Sequence, residues 1–427
     1  MSSNIYDAIH GVIELTPIME ELIEIPEFQR LRGIKQLGIT NLVFPGANHT
    51  RFEHSLGVGH LARKICNNLN LERDEENLIV AAALLHDIGH GPYSHTLEKI
   101  LIEKKGYGHT EISKQMITGN IKQDSETILD KPRISDILKK YNLESKKVAE
   151  LVTGDSERDE FVLFFKEKQS FYNGPAYRTQ IVHSAIDADR MDYLLRDSYY
   201  TGVALGTIDV ARIMQSFRIH NNDLVIHKNC IPALEGMLVA RTLMYSAVYN
   251  HKTARIGQLM IERAVEVMEN FEIEEIQKLT DDEFDQLLRN MGGFQKEILN
   301  RIKYRKLYKT AIKIKSEEID DENKEIFLEM CEKEGRKNME SKIARMVGVE
   351  PREIIIDIPK PEIIKNKKNN RFSKIPIFDE GKVRSIRNYS EIIRSLEVKE
   401  KIPWAIAIIC PENYREKIAT KAEDILF

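Results

Sequence analysis

Cysteine is scarce in this 427-residue chain, and the four present (Cys66, Cys230, Cys331 and Cys410) are scattered, with no CxxC pair. That pattern excludes a disulfide framework and leads us to expect reduced thiols in a cytoplasmic setting. The opening MSSNIYDAIHG lacks the basic region and apolar core of a signal peptide. Nor does any stretch approach the roughly 18 uninterrupted apolar residues of a membrane span. The longest apolar runs, such as Leu78 to Leu85, have the length of a buried helix. A large excess of charge of either sign is missing as well. With a formal net charge of −4 there is no global field to attract nucleic acid or a membrane, so a polyanionic ligand must be met by a local cluster. Internal repeats and low-complexity tracts are absent.

What is present fits a soluble globular protein: 42% hydrophobic and 30% charged residues, enough to bury a sizeable core. The length predicts two or three structural units. Residues 17 to 38 carry apolar residues at mixed spacings of 3 and 4, broken by Pro26, which predicts two short helices. Residues 54–70, 76–88, 143–153 and 181–200 show the same helical period, and 232–270 is the longest such stretch, opened by Pro232. Strands are predicted at Arg218–Ile226 around an Asn-Asn-Asp turn, at Glu353–Ile358 and at Pro403–Cys410. Residues 274–345 read as charged helical text. Residues 359–390 are basic and read as loop with short strands, with KNKKNN at 365–370 a solvated cationic run. We therefore expect a mainly α protein, with a catalytic core over residues 1–270 and a smaller α+β lobe over 271–427.

The chemistry is signalled by histidine. His49, His54, His60, His86, His90, His95 and His109 all fall within about 60 residues, and Asp87 directly follows His86. In AAALLHDIGHGPYSH a buried helix ends in His-Asp and then breaks at Gly89 and Gly91-Pro92. A charged aspartate placed there costs several kcal/mol unless it is paired or bound to a metal. Imidazole and carboxylate together suit Fe, Mn, Zn, Co or Ni. Two adjacent ligands cannot fill a coordination sphere. His54 in RFEHS is one further candidate. An aspartate of IVHSAIDADRMDYLLRD, where Asp187, Asp189 and Asp192 interrupt an apolar face, is another.

The order His54, His86-Asp87, Asp189 resembles the HD superfamily of metal-dependent phosphohydrolases. The stretches DAIHGVIELTP, FQRLRGIKQLG, VFPGANHTRFEHSLGVGHLA, LLHDIGHGPYSH and DADRMDYLLRD resemble its deoxynucleoside triphosphate triphosphohydrolase branch. That branch includes the vertebrate SAM- and HD-domain enzyme; no SAM domain is expected here. The resemblance is strong over about residues 5–260 and implies a helical HD core. It implies hydrolysis of a dNTP to deoxynucleoside and triphosphate, by water attack on the α-phosphorus with the metal lowering the pKa of the water toward about 7.

By the same resemblance His54, His86, Asp87 and Asp189 hold the metal. His90 and His95 lie beside the α-phosphate, His109 is the general acid–base group, and Glu98 orients it in place of the branch's aspartate. Where the branch often has Glu directly after that last histidine, this chain has Thr110, with Glu111 one place later. Arg51, Arg190 and Arg241 match phosphate-gripping positions, work for which the planar guanidinium fork is suited. Gln36, Tyr193 and Asp197 match residues that recognise the sugar, and Tyr249 and His251 lie beside it and the base. A nucleotide activator pocket between subunits is implied by Glu24, Gln29, Arg32 and Arg212, whereas His227 and Asn229 stand where the vertebrate enzyme has basic residues. The expected cofactors are a divalent transition metal in the HD site and Mg with the nucleotide phosphates. The expected partners are a deoxynucleotide substrate, an activating nucleotide and further copies of the chain in a dimer or tetramer. Two alternatives are an HD phosphodiesterase or nuclease using the basic 359–390 segment and a non-catalytic nucleotide sensor.

Overall fold

The computed structural model describes residues 3–121, 132–154, 172, 174–268, 271–315, 318–319, 324–358, 375–399 and 405–426. The cationic run at 365–370 lies outside the described residues. The protein is mainly α-helical and divides into two compact units. The first comprises Met1–Val248, Phe271–Asp285 and Arg371–Glu397, and the second Tyr249–Asn270, Gln286–Asn370 and Val398–Phe427.

The first unit opens with a hairpin of β1 (Asn4–Asp7) and β2 (Gly11–Glu14). Two short helices follow, α1 (Pro17–Ile23) and α2 (Pro26–Arg30), each with proline in its first turn, where no backbone N–H is needed. The core is built on α3 (Arg51–Asn68) and α4 (Arg73–Leu85). Helix α3 starts at a capping box between Thr50 and Glu53. Three acidic residues, Asp74 to Glu76, favour the positive end of α4, and everything from Leu78 to Leu85 is buried. A Cβ on Gly59 of α3 would sit 2.8 Å from Leu84, so the glycine lets the two helices approach. Around them stand α5 (His95–Lys105), α6 (His109–Ile117), α7 (Ile134–Lys140), α8 (Ser145–Thr153), α9 (Ala176–Val182) and α10 (Ala188–Thr201).

Two helical expectations need correction. Residues 181–200 do not form one helix: α9 ends at Val182, and Asp187, extended at φ −137° and ψ 175°, accepts a hydrogen bond from Arg190 N and starts α10. Capping chemistry overrides the apolar period here. The stretch 232–270 is also divided, into Ile231–Met244, a π-helical turn at Tyr245–Tyr249 and Lys252–Glu266 capped by His251. The hairpin around residues 221–223 forms as expected, its strands Phe217–His220 and Asp223–His227 joined by Asn221 and Asn222 at φ 50° and 66°, which asparagine tolerates. Strands Pro376–Asp379 and Lys382–Ser385 complete that sheet.

The second unit holds a three-stranded antiparallel sheet with the fully buried Ile406–Cys410 at its centre, flanked by Lys309–Ile314 and Ile355–Asp357. Phe327, Ile343, Val347 and Ile418 pack into the same core. Strand Lys309–Ile314 falls inside text we read as helical. Its alternation in KTAIKI is masked by the charged helices on either side. No helix among the described residues is long and apolar enough to cross a membrane.

His60 of α3 is buried, and its Nε2 has no hydrogen-bond partner. Burial, aided by Lys64, lowers its pKa from the usual 6.5 to about 4. The unfolded chain then takes up a proton first as the pH falls, so stability is lost between pH 6.5 and about 4. We expect His60→Leu to flatten that part of a denaturant-midpoint-versus-pH curve; an unchanged slope would show that His60 does not contribute.

Candidate active site

Five helix ends meet in one cavity. The capping box that starts α3 places Arg51 and His54 on its first turn. Helix α4 stops at Leu85 and delivers His86 and Asp87 into the turn that follows. Helices α5 and α6 begin at His95 and His109, and Asp189 lies in the first turn of α10. The turn after Asp87 must run tight against α6, because a Cβ on Gly89 would lie 2.3 Å from the His109 carbonyl oxygen.

His54 Nε2 lies 3.1 Å from Asp189 Oδ1 and 3.7 Å from Asp87 Oδ2, while His86 Nε2 lies 3.3 Å from Asp87 Oδ1 and 3.8 Å from Asp189 Oδ1. The far nitrogens are already engaged. His86 Nδ1 faces the Ala83 carbonyl at 2.8 Å, and His54 Nδ1 faces Asp192 Oδ2 at 2.8 Å. Both Nε2 atoms therefore point at the carboxylates, and both are buried without a well-aligned hydrogen bond. Burial opposes charge on His54, but Asp189 and Asp192 prevail and raise its pKa to about 10. Converging nitrogen and carboxylate ligands, orphaned Nε2 atoms and a field that attracts positive charge together fit a divalent cation. His54, His86 and Asp87 could hold it, with Asp189 beside them.

Asp87 also contacts the Arg51 guanidinium. Burial would raise its pKa, yet Arg51, His86 and His90 hold it well below the usual carboxylate range. His90 Nε2 lies 3.5 Å from Asp87 Oδ1, and its ring stacks on His109 at 3.7 Å between centroids. Burial, with Arg51 and His109, keeps His90 far below 6.5 and hence neutral. His109 Nδ1 is held by Glu98, which also accepts from the His109 backbone N–H at 3.1 Å and pairs with His95 Nδ1 at 2.9 Å. Burial would raise the pKa of Glu98, but His109 and His95 keep it ionised. Glu111 faces Lys114 at 3.1 Å, so Glu98 is the carboxylate on His109.

The cavity is also lined by Gln36, Arg190 and Tyr193. Arg190 Nε donates to the Ser184 carbonyl at 2.8 Å. Asp197 and Arg241 do not line the cavity as Gln36, Arg51, Arg190 and Tyr193 do. Asp197 is buried against His49 at 2.8 Å, and Arg241 lies over the Tyr245 ring at 4.7 Å. Tyr249 and His251 fall in the second unit, where His251 caps its helix through Nδ1. Of the activator residues, Gln29 and Arg32 bond to each other at 2.8 Å; Arg212 instead donates to the Asn229 carbonyl at 3.1 Å. Glu24 is the C-cap of α1. His183, whose ring stands 6.3 Å from that of His86, lines the cavity together with Val152 and Thr153, and the sequence reading missed all three. A histidine four residues before Asp187 was the available signal.

Two features hold the His-Asp turn. Arg30, buried beneath it, donates to the carbonyls of Ile88 at 3.0 Å and His90 at 2.6 Å. Above it, Tyr93 and Ser94 both have positive φ, and Ser94 at φ 52° and ψ −121° occupies a region that favours glycine. Its hydroxyl accepts from Arg51 Nε at 2.8 Å and donates to the Lys35 carbonyl at 3.1 Å.

A domain family described as "HD domain" matches residues 51–197, and another described as "HD associated region" matches residues 208–427. An uncharacterized protein of Methanocaldococcus jannaschii is 37% identical over 427 residues, covering 98% of this chain and 81% of its own length. Deoxynucleoside triphosphate triphosphohydrolase SAMHD1 of Bos taurus is 31% identical over 348 residues, which is 71% of this chain and 58% of that enzyme. The crystal structure of a hypothetical protein from Aquifex aeolicus matches with a TM-score of 0.71 at 26% identity, over 99% of this chain and all of that one. The chain belongs to the HD-domain phosphohydrolase family.

Two tests follow from the geometry. Asp87→Ala and His54→Ala should each abolish bound divalent metal, as read by elemental analysis, while the far-ultraviolet circular dichroism stays that of a folded protein; stoichiometric metal in either variant would refute the ligand assignment. Strain at a serine in the conformation of Ser94 is on the order of 1–3 kcal/mol. Ser94→Gly should therefore raise stability by about 1 kcal/mol even as it releases Arg51, whereas Ser94→Ala should not. Equal melting temperatures for the two variants would show that the backbone is unstrained.

Proposed function

We propose that the protein hydrolyses deoxynucleoside triphosphates to deoxynucleoside and inorganic triphosphate. One observation carries the reading. The cluster of His54, His86, Asp87 and Asp189 and the pair of His90 and His109, with Glu98 behind His109, open into the same cavity as Arg51, Gln36, Arg190 and Tyr193. The kinship with a triphosphohydrolase supports the substrate class.

His54, His86, Asp87 and Asp189 would hold a divalent cation, which when bound would supply Lewis acidity and a water acidic enough to be deprotonated near neutral pH. The other residues divide the remaining work. Arg51 and Arg190 bind phosphate oxygens. Neutral His90 offers a hydrogen bond to the α-phosphoryl group without adding a second charge beside Arg51. Water attacks the α-phosphorus, the bond from that phosphorus to the 5′-oxygen of the sugar breaks, and the departing oxygen needs a proton. His109 gives it from Nε2, because Glu98 occupies Nδ1 and stabilises the imidazolium. Gln36 and Tyr193 read the sugar. Mg accompanies the phosphates. A homo-oligomer with an activating nucleotide near Gln29 and Arg32 completes the reading.

The test is an anion-exchange assay with each dNTP and NTP, under Mg, Mn, Fe, Co or Ni, with and without dGTP or dATP as activator. We expect deoxynucleoside plus triphosphate, with His109→Ala slower by about 10²–10⁴-fold at unchanged metal content. Monophosphate, diphosphate or no product under every metal would overturn the proposal and direct attention to cyclic and single-stranded nucleotides.

A further inference from the structure

The β1–β2 hairpin is poorly explained as part of the core. Of its eight strand residues only Ile13 is buried, while Tyr6 is 83% exposed and Val12 48%. An isolated two-stranded ribbon is marginal in water. What fixes this one is polar. Asp7 accepts from the backbone N–H groups of Ile9 and His10 at 2.9 and 2.8 Å, which shapes the turn. The same carboxylate takes two bonds from the buried Arg196 of α10, at 2.7 and 3.2 Å. His10 Nε2 then reaches Asp192 Oδ1 at 2.6 Å.

Asp192 is where these contacts gain a chemical meaning. It is fully buried, and Arg196 binds it through Nε at 2.8 Å and Nη2 at 2.9 Å. Its Oδ2 faces His54 Nδ1 at 2.8 Å. Four donors thus saturate one carboxylate, and one of them is the histidine whose other nitrogen faces Asp87 and Asp189. The space is made by α3 itself. A Cβ on Gly57 would stand 1.9 Å from Asp192 Oδ1 and 2.6 Å from Arg196 Nη2, so only glycine permits the pair.

We propose that His10, from the amino-terminal hairpin, is a positioning residue of the metal centre. With Arg196 it locks Asp192, and Asp192 keeps the His54 proton on Nδ1 and the Nε2 lone pair aimed at the cation. A carboxylate behind a metal-binding histidine fixes its tautomer and orientation, and its loss typically costs 10–100-fold in metal affinity. Here the carboxylate is itself held from a segment some 40 residues upstream of the ligand. The inference rests on the reading of His54 as a metal ligand and not on the identity of the substrate.

The experiment is a Co²⁺ titration of the full chain against a competing chelator at fixed pH, with the visible spectrum of the bound ion recorded. Thermal unfolding in EDTA is run in parallel. We expect His10→Ala to weaken Co²⁺ binding by about tenfold or more and to alter the spectrum, while the EDTA melting temperature stays near wild type. His10→Gln, whose amide can still donate to Asp192, should recover most of the affinity. Asp192→Asn should weaken binding further; if that variant does not fold, the His10 pair still decides. This pattern supports the inference whether or not any nucleotide is cleaved. Equal affinity and spectrum for wild type and His10→Ala would overturn it without touching the proposed hydrolysis. A lower EDTA melting temperature with unchanged affinity would also overturn it, because His10 would then be only structural. A wild-type chain that takes up no cobalt would overturn it together with the metal reading.

Discussion

Asp87 is a carboxylate buried among apolar helices, and the first unit is arranged around the need to keep it charged. A buried ion without compensation would cost many kcal/mol and would shed its charge instead. Arg51 supplies one partner from α3, His86 lies beside it in the chain, and His90 approaches from the following turn. Each of these groups is buried and needs holding in its turn. Ser94 holds Arg51, Ala83 holds His86, and His109 stacks on His90. The fold around the site can be followed outward as successive answers to one desolvated charge.

That arrangement explains why irregular backbone concentrates in the stretch from Ile88 to Ser94. Past Asp87 the chain leaves the helical path in a tight turn, with the His90 N–H donating to the Asp87 carbonyl at 3.1 Å. The chain breaks there, leaving carbonyls of Ile88 and His90 without helical partners inside the protein. Arg30 satisfies both. The serine in a glycine-like conformation at residue 94 is the counterpart on the other side, since glycine would fit the backbone but has no hydroxyl for Arg51. Local strain is tolerated where a specific contact needs it.

The parts of the site legible in the sequence were those in which an ionisable residue violates its own surroundings. His86-Asp87 at the end of an apolar helix and the aspartates inside DADRMDYLL announce themselves in this way, and so does the density of histidine. The helices around them were legible too, from period and caps. What escaped was set by contacts between distant segments. His10 and His183 lie in stretches the sequence singles out, but no sequence neighbour gives either a role, and only the approach of the hairpin to α10 and of α9 to the end of α4 gives them partners in the site. The break at Asp187 and the strand Lys309–Ile314 were missed for a related reason. A cap and a six-residue alternation are short signals beside the long helical periods that surround them.

Buried charge alone does not mark a site, and the second unit shows why. Asp357 is buried and takes a hydrogen bond from Arg255 at 2.9 Å. Glu340 is buried and takes bonds from Arg263 at 2.6 Å and from the Ile356 backbone at 3.0 Å. These acids have their partners within the protein, and nothing further is needed to account for them; such pairs serve structure at little net gain. The first unit differs in kind. Its carboxylates have cationic partners, yet the Nε2 atoms of His54, His86 and His90 are buried and face inward without an aligned hydrogen bond. A ring nitrogen removed from water and facing carboxylates already in place is left short by the protein alone. At His54 and His86 the shortage is one that a divalent cation could meet. The orphaned nitrogens, more than the number of histidines, are what make this cavity a site for chemistry.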